Sequence, residues 1–252
     1  MSWRKLLRSI QVFFPALQDT RFALSRFRQK AARRLVEPDF AALRLFDWQE
    51  TPLFLDIGGN RGLAADAMHL LVPAARIVVF EPNPYLYRQL TRVYAGDPSV
   101  TCMDVALGDA SLDTVLWVPS YRDWIFDGLG SLDRRAAAEW LNEDRLYFFD
   151  SRYLRLHEHP CKLRRLDDLR LSPAFIKIDV QGSELDVLRG AEQTLARCHP
   201  LLMIEDASDE EKIEFLRRFD YTVANFEGNR LTLQQAGKVN SFFLADKHIA
   251  QL

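Results

Sequence analysis

The chain has 252 residues, with 33 Lys or Arg and 35 Asp or Glu, so its formal net charge is −2. This length suffices for one sizeable core, and the balanced charge gives no general attraction to nucleic acid, so we expect no nucleic-acid partner. Three widely spaced cysteines, Cys102, Cys161 and Cys198, form no CxxC pattern and predict neither disulfides nor a metal site. We therefore expect a cytoplasmic protein.

The N-terminal region is strongly basic, because residues 1–36 contain nine Lys or Arg and one acid, Asp19. Apolar side chains recur at helical spacing over residues 3–17, and a second helical segment is predicted over residues 22–35. No stretch has the length of a membrane span or the pattern of a secretory signal. We expect residues 1–50 to be a helical extension packed on the main domain or on a second subunit, with peripheral membrane contact through residues 1–36 as the alternative.

From residue 51 to residue 252, strands and helices alternate, which predicts an α/β domain built on a largely parallel sheet. Seven strands are predicted, at residues 53–57, 76–81, 100–105, 175–180, 201–205, 222–226 and 241–245. Residues 110–165 interrupt this alternation, since they are rich in aromatic and charged side chains without clear periodicity. A segment of this length predicts a lid or a binding insertion.

The sequence FLDIGGNRG, residues 54–62, is an apolar strand that runs into closely spaced glycines. Glycines such as Gly58 and Gly62 permit a tight turn and a close approach of the backbone to a ligand. A dinucleotide site requires GxGxxG, but Asn60 replaces the second glycine and Asp56 would repel a pyrophosphate. The same acid suits a ligand that carries an ammonium and a sulfonium; it either contacts that ligand or holds the turn amides from behind.

Three acids lie at or just after the ends of successive predicted strands: Glu81, Asp104 and Asp179. Ligands of open α/β sheets bind at this edge, so these acids are expected to line one crevice with the glycine turn. Glu81 follows Gly58 by 23 residues, near the ~20-residue offset at which a second-strand acid reaches a ribose diol. The alternative is an acid that simply meets water at a strand end.

Five segments resemble the FkbM family of S-adenosylmethionine-dependent methyltransferases. They are DIGGNRG at 56–62, FEPNP at 80–84, ALGD at 106–109, RRLDDL at 164–169 and IKIDVQGSELDVLRGA at 176–191. The resemblance implies a seven-stranded, Rossmann-like class I methyltransferase sheet, mostly parallel with a last antiparallel strand. It also implies methyl transfer from S-adenosylmethionine, usually to a hydroxyl of a glycan or natural-product acceptor.

The resemblance assigns roles to individual cofactor-binding residues. The turn around the methionine part of the cofactor would be formed by Asp56, Gly58, Asn60 and Gly62. Glu81 would hold the ribose, and Asn83 would support that acid or touch the adenosine. Asp104 would lie at the adenine. The sequence departs from the family pattern at three places. Leu63 follows the last glycine where a small hydroxyl residue is usual, Gln181 stands where glutamate is frequent, and Gly130 replaces the first serine of an SSL element.

In-line methyl transfer mainly requires alignment of the reactants in a dry pocket, and a base that takes the hydroxyl proton would add about 10²- to 10⁴-fold. Asp179 is the first candidate base, followed by Glu184 and Glu205, although Glu184 would also suit the start of a helix. The HxHxC stretch at 157–161 is a weak metal pattern, but one of its histidines would be a base if the insertion covers the pocket. The aromatics of residues 121–153 suit either an acceptor wall or a core.

Three functions remain open from the sequence. The leading hypothesis is an S-adenosylmethionine-dependent O-methyltransferase acting on a small-molecule or glycan acceptor. A non-catalytic cofactor-binding or scaffold protein in glycan assembly is the second. An NAD-type oxidoreductase is the third, and the residues at the glycine turn argue against it.

Overall fold

The computed structural model describes residues 5, 6, 9, 10, 12, 13, 24, 26, 29, 35–205 and 209–252. The predicted helices over residues 3–17 and 22–35 lie mostly outside the described residues, although positions 5, 6, 9, 10, 24, 26 and 29 are helical. A 3₁₀ helix, Pro38–Leu45, precedes the first strand. Among the described residues, no helix has the length and apolar character needed to cross a bilayer.

The described strands form two sheets. In chain order they are β1 (Leu53–Ile57), β2 (Arg76–Phe80), β3 (Val100–Met103), β4 (Val105–Leu107), β5 (Leu112–Tyr121), β6 (Trp124–Ile125), β7 (Leu154–Arg164), β8 (Phe175–Ile178), β9 (Leu201–Glu205), β10 (Thr222–Glu227), β11 (Arg230–Leu233) and β12 (Asn240–Leu244). The α-helices of the same part of the chain are α1 (Leu63–Leu71), α2 (Pro84–Val93), α3 (Arg134–Glu139), α4 (Glu184–Arg189), α5 (Glu192–Cys198), α6 (Glu210–Arg217) and α7 (Asp246–Ile249).

The main sheet has the strand order β11-β10-β12-β9-β8-β1-β2-β3. Strands β3, β2, β1, β8 and β9 run parallel to one another, whereas β12 is antiparallel to both β9 and β10. This arrangement confirms the predicted mostly parallel sheet with a last antiparallel strand. The chain order crosses over between β1 and β8, so the turns after these two strands meet at one edge, where ligands of such sheets bind.

The seven predicted strands are present, and the structure adds an eighth, the edge strand β11. It forms a hairpin with β10 through Gly228 and Asn229, which have φ values of 58° and 63°. Positive φ at both loop residues is typical of the two-residue turn that matches strand twist. This strand was not predicted, and it is short, since it has four residues at the edge of the sheet.

The segment predicted as an aperiodic insertion folds into a second sheet of order β4-β7-β5-β6. Its centre is a long antiparallel hairpin of β5 with β7. Both faces of β5 bear apolar side chains, for example Leu116 and Val118 on one face and Trp117 and Tyr121 on the other, so the alternation that reveals a strand is hidden. The segment therefore has regular structure that its sequence does not reveal, and its role as a lid or a binding insertion stays a prediction.

Two apolar layers cover the main sheet. One contains the 3₁₀ helix, α1 and α2 against Phe54 and Phe175, and the other contains α4, α5 and α6 against Leu55 and Ile176. Alternate residues of the central strands enter opposite layers, as expected for a sheet buried on both faces. These layers leave the carboxyl ends of the strands uncovered, so the polar groups there are accessible to a ligand.

The described N-terminal residues pack on the protein itself. Val12 is 3% exposed and joins a cluster with Tyr121 and Trp124, and Arg26 pairs with Asp66 at 2.6 Å. For these residues the packing interpretation of the N-terminal region is supported. The same cluster shows that the buried aromatics of residues 121–153 form a core, and none of the aromatics in this range lines the cavity described below.

Candidate functional site

A cavity lies at the carboxyl ends of β1, β2 and β8. One wall comes from the turns after these strands and includes Gly58, Asn60, Glu81 and Asp179. The opposite wall comes from the second sheet, through Leu116 of β5 and residues 127–132. The cavity therefore lies between the two sheets.

The glycine turn presses directly on the turn after β8. Gly58 has φ 84°, and a Cβ at this position would lie 1.8 Å from the carbonyl oxygen of Asp179. The amides of Gly58 and Gly59 both donate to the carbonyl of Phe80 at 3.0 Å. Gly62 has φ 78°, and a Cβ there would lie 2.6 Å from the hydroxyl of Tyr94. Only glycine allows this close approach of three turns.

Glu81 presents an oriented carboxylate to the cavity. Its Oε2 accepts the backbone N–H of Asn60 at 2.7 Å, and its Oε1 accepts that of Asn83 at 2.9 Å. Each carboxylate oxygen has a second lone pair, so two acceptor sites remain in a fixed geometry. Burial raises the pKa of Glu81 to about 8 even though the two backbone bonds lower it. This is the arrangement predicted for an acid that holds two hydroxyl groups.

Asn83 connects three parts of the site. Its backbone N–H orients Glu81, its Oδ1 caps α2 by accepting from the amide of Tyr85 at 3.0 Å, and its Nδ2 donates to the carbonyl of Asp127 at 2.8 Å. The predicted support of the acid is thus present in the geometry. The side chain is 1% exposed, although the residue lines the cavity.

Asp56 lies behind the glycine turn and not among the cavity-lining residues. It is fully buried, and within the described part of the chain no group donates a hydrogen bond to either carboxylate oxygen. Burial raises its pKa to about 6, an effect that the nearby Lys177 ammonium opposes. The Gly58 and Gly59 amides donate to Phe80 and not to Asp56, so both roles predicted for Asp56 stay predictions.

Lys177 is a residue that the sequence analysis did not single out. It faces Asp56 on the neighbouring strand in register, is 3% exposed, and donates to Asp179 Oδ2 at 3.0 Å. Although burial lowers its pKa, the charges of Asp179, Asp56 and Glu37 raise it overall. A lone lysine inside the apolar run FIKI, two residues before Asp179, was the signal that would have identified it.

Asp179 lines the cavity at the end of β8. Its Oδ1 accepts from the side-chain amide of Gln181 at 2.8 Å, and the same amide lies 3.4 Å from Glu205 Oε2. Burial favours the protonated acid, but the Lys177 charge and hydrogen bonds from Glu205, Lys177 and Gln181 together lower the pKa of Asp179 below its usual value. Two predicted base candidates, Asp179 and Glu205, are therefore brought together, with Gln181 between them.

The structure separates other predicted residues from the cavity. Glu184 is buried, accepts the amide of Gly182 at 3.0 Å and lies 3.6 Å from the Lys212 ammonium, which matches its alternative role at a helix start. Asp104 is exposed between β3 and β4, next to the lining residue Val105. Neither acid lines the cavity, so their predicted contacts with cofactor or acceptor stay predictions.

The HxHxC stretch lies on β7, away from the cavity lining. His157 bonds to the hydroxyl of Ser120 at 2.9 Å, and the ring of His159 meets the ring of Tyr85 edge-on at 5.2 Å. Within the described parts of the chain, no group of His, Cys, Asp and Glu is arranged to hold a metal ion. His157 therefore links β7 to β5 within the second sheet, and His159 packs the second sheet against α2.

Arg61 and Asp127 form a contact that no sequence pattern indicated. The Arg61 guanidinium bonds to the Asp127 carboxylate and, through Nη1, to Gln89 Oε1 at 2.9 Å. Arg61 belongs to the glycine turn, whereas Asp127 belongs to the second sheet's cavity wall. Their meeting depends on the packing of the two sheets, which the sequence analysis did not predict.

A mostly parallel sheet whose last long strand, β12, is antiparallel, with a cavity at the carboxyl ends of β1, β2 and β8, defines a class I methyltransferase fold. The family model described as the methyltransferase FkbM domain matches residues 56–238. The chain belongs to this family, and the cofactor that membership implies is S-adenosylmethionine.

Two curated relatives and one solved structure are similar to this chain. The AMB antimetabolite synthetase AmbE of Pseudomonas aeruginosa is 31% identical over 62% of the chain and 8% of its own length. The 2-O-methyltransferase NoeI of Sinorhizobium fredii is 27% identical over 65% of the chain and 66% of its own length. The crystal structure of methyltransferase FkbM from Methylobacillus flagellatus has a TM-score of 0.50 at 15% identity, covering 87% of this chain and 58% of that one. The chain thus spans less than two thirds of each.

The residues of the cavity fit S-adenosylmethionine. The Glu81 carboxyl group retains acceptor sites for a ribose diol, because each of its oxygens accepts only one backbone N–H. Apolar side chains such as Phe80 and Leu86 line the cavity next to Glu81 and suit a nucleobase. The backbone amides of Gly58 and Gly59 already donate to the carbonyl of Phe80. The turn therefore contributes the shape of the cavity wall and not hydrogen-bond donors from these two residues.

Proposed function

We propose that this protein is an S-adenosylmethionine-dependent O-methyltransferase that methylates a hydroxyl group of a glycan or another small-molecule acceptor. The observation that carries this proposal is the Glu81 carboxylate, fixed by two backbone N–H groups beside the glycine turn. The relative NoeI is described as a 2-O-methyltransferase, which supports oxygen as the methylated atom.

Cofactor binding is proposed to involve the residues that line the cavity and the residues behind them. Gly58, Asn60 and Glu81 line the cavity and would contact the cofactor, whereas Asp56 and Gly62 support the turn from behind. Asn83 would act through Glu81, and Asp104 is proposed at the adenine side. When bound, the cofactor supplies an electrophilic methyl group on a sulfonium.

Asp179 is proposed as the residue that receives the acceptor hydroxyl. Because its pKa is lowered, the carboxylate is ionised at neutral pH and accepts a hydrogen bond from the hydroxyl. The same low pKa makes it a weak base, so its main contributions are orientation and stabilisation of positive charge that develops on the oxygen. Glu205, next to Asp179, is a proposed relay for the proton, and Glu184 is kept only as a supporting group for the turn.

Calorimetric titration with S-adenosylhomocysteine tests the cofactor assignment, and incorporation of labelled methyl groups into a panel of sugars and hydroxylated natural products tests the activity. We expect Asp179→Asn to retain affinity for S-adenosylhomocysteine and to lose methyl transfer by about 10²- to 10⁴-fold. Arg135→Gln, which breaks the exposed ion pair with Glu139, is the matched control and is expected to behave as wild type. Folding of each variant is checked by circular dichroism.

The possible outcomes separate the three candidate functions. A folded protein that does not bind S-adenosylhomocysteine contradicts the proposal, and tighter binding of NADH would favour the oxidoreductase. Binding without transfer to any acceptor, unaltered in Asp179→Asn, is the result expected of a non-catalytic scaffold protein. Equal transfer by wild type and Asp179→Asn would remove Asp179 from the mechanism.

The N-terminal region is proposed to make a peripheral contact with an anionic membrane surface. Phe13 is 61% exposed and Phe148 is 98% exposed, and both line an apolar depression with Ile10. Exposed aromatics beside a basic segment are typical of interfacial binding. Sedimentation with vesicles of anionic lipid should therefore retain wild type more than Phe148→Ser, and equal recovery with neutral vesicles would contradict the proposal.

A further inference from the structure

A buried ion pair joins the glycine turn to the opposite wall of the cavity. The side chains of Arg61 and Asp127 are 5% and 11% exposed, and the two residues are 66 positions apart in the chain. Buried ion pairs require good geometry to offset the loss of hydration, and removal of one partner leaves a buried charge. This pair therefore strongly favours one placement of the second wall.

The other contacts of the wall point to the same placement. Asn83 donates to the carbonyl of Asp127 at 2.8 Å. A Cβ on Gly128 would lie 3.1 Å from Asn60 Nδ2, so the backbone of the wall passes directly over that side chain. On its other side, the wall is tied to β5 by paired backbone bonds between Ser131 and Trp117 at 2.8 and 3.0 Å.

The charges at this junction are also arranged around Arg61. Asp127 lies near enough to Glu81 for its charge to disfavour ionisation of that acid, after the larger effect of burial. The Arg61 guanidinium bonds to Asp127 and is held in place by Gln89 of α2. Without the guanidinium, two neighbouring carboxylates would repel each other across the cavity.

We propose that Arg61 and Asp127 form a latch that holds residues 127–132 as the second wall of the cofactor cavity, so that affinity for the cofactor depends on this ion pair. Arg61 and Asp127 are positioning residues in this proposal, because they act through the wall. The proposal rests on the proposed function for the identity of the ligand only.

A latch and a merely stabilising ion pair predict different results. An ion pair that only stabilises the fold would, when broken, lower the melting temperature and accelerate exchange throughout the protein. A latch that is broken opens the wall locally, because β1, β2 and their helices keep their own core. It also weakens binding by the protein that remains folded.

Hydrogen exchange of the ligand-free protein tests the latch independently of any cofactor. In Arg61→Gln and Asp127→Asn, we expect amides of residues 126–132 to exchange at least about tenfold faster, with β2 and α1 unchanged. The exposed-pair variant Arg135→Gln, in the same region of the chain, is expected to match wild type. Unchanged exchange at residues 126–132, or uniform acceleration across the protein, would overturn the proposal.

Titration with S-adenosylhomocysteine tests the link to binding. We expect Arg61→Gln and Asp127→Asn each to bind S-adenosylhomocysteine at least about fivefold more weakly than wild type. The double variant Arg61→Gln/Asp127→Asn should bind no more weakly than the single variant with the lower affinity, since both changes remove the same contact. Arg61→Lys keeps the charge but not the planar fork and should lie between wild type and Arg61→Gln. Affinities within twofold of wild type in folded variants, or losses that multiply in the double variant, would refute the latch.

The two readouts separate this proposal from the proposed function. If wild type does not bind S-adenosylhomocysteine, the cofactor assignment fails, while the exchange experiment still decides whether Arg61 and Asp127 hold the wall. If Arg61→Gln does not fold, Asp127→Asn and Arg61→Lys provide both measurements.

Discussion

The two walls of the cavity are built in different ways. The wall of the main sheet consists of turns whose contacts run between adjacent strands, such as the amides of Gly58 and Gly59 on Phe80 and that of Asn60 on Glu81. The wall of the second sheet reaches the cavity through contacts between distant parts of the chain, such as Arg61 with Asp127.

The difference indicates a division of labour. The main-sheet wall is rigid before any ligand arrives, because its glycines and Glu81 are fixed by backbone hydrogen bonds. That suits recognition of a constant cofactor. The second wall depends on a few side-chain contacts and borders the same space, which suits it to govern access and acceptor choice. Changes at Gly58 and Glu81 test the main-sheet wall, and changes at Asn83 test the contact between the two walls.

The largest expected effect follows from changing Gly58, at the base of the main-sheet wall. Gly58→Ala forces a Cβ to within 1.8 Å of the Asp179 carbonyl at a φ of 84°. We expect the free energy of unfolding to fall by about 3 to 5 kcal/mol and cofactor binding to be lost. Urea denaturation and calorimetry measure these two quantities.

Gly96 is the matched control for this change. A Cβ on Gly96 meets no atom within 4 Å, so Gly96→Ala should leave stability within about 0.5 kcal/mol of wild type. Similar losses in both variants would contradict the proposed contact of the turns after β1 and β8.

The next effect concerns the pH dependence of Glu81. Its pKa is raised from the usual 4.5 to about 8, so folding favours the protonated acid. The contribution of this group to stability is complete below pH 4.5 and is lost as the pH rises to about 8. In wild type without ligand, this acid should lower the free energy of unfolding by about 2 to 5 kcal/mol between these limits.

Glu81→Gln isolates this contribution because glutamine does not titrate. Urea denaturation at several pH values should show a smaller decrease over the same window in the variant than in wild type. At neutral pH the variant should also bind S-adenosylhomocysteine about 10²-fold more weakly, since an NH₂ donor replaces one of the two acceptor oxygens. Identical pH profiles would show that Glu81 is ionised and hydrated in the ligand-free protein.

The smallest effect concerns Asn83, which belongs to both walls. Asn83→Ala removes the cap of α2 and the bond to the Asp127 carbonyl, and should cost about 1 to 2 kcal/mol of stability. Asn83→Ser retains a cap but is too short to tether the wall. We expect Asn83→Ser to keep most of the stability, while the amide hydrogens of residues 126–132 exchange faster than in wild type. Exchange as slow as in wild type would contradict a tether between Asn83 and the Asp127 carbonyl.

Much of the main-sheet wall was predictable from the sequence. Apolar strands that end in acids and glycines located Gly58, Glu81 and Asp179 at one edge, and the structure places all three on one cavity. The helix-start role of Glu184 was weighed correctly as an alternative, because an acid in the first helical turn is favoured by local electrostatics.

The second wall was not predictable in the same way. Apolar residues on both faces of β5 concealed a strand, and of the aromatics that suited either an acceptor wall or a core, Tyr121 and Trp124 pack in a core with Val12. Lys177 had a weak signal as a charged residue in a buried strand, whereas Asp127 had none.

The sequence by itself determined the α/β order, the glycine turn after β1 and the acid after β2, because each depends on residues close together in the chain and on strands with a clear apolar pattern. Only the tertiary structure decided that Asp56 lies behind the turn with Lys177, and that Arg61 meets Asp127. The physical reason is that a buried charge takes its partner from whichever element packs against it, and that packing follows from the whole fold.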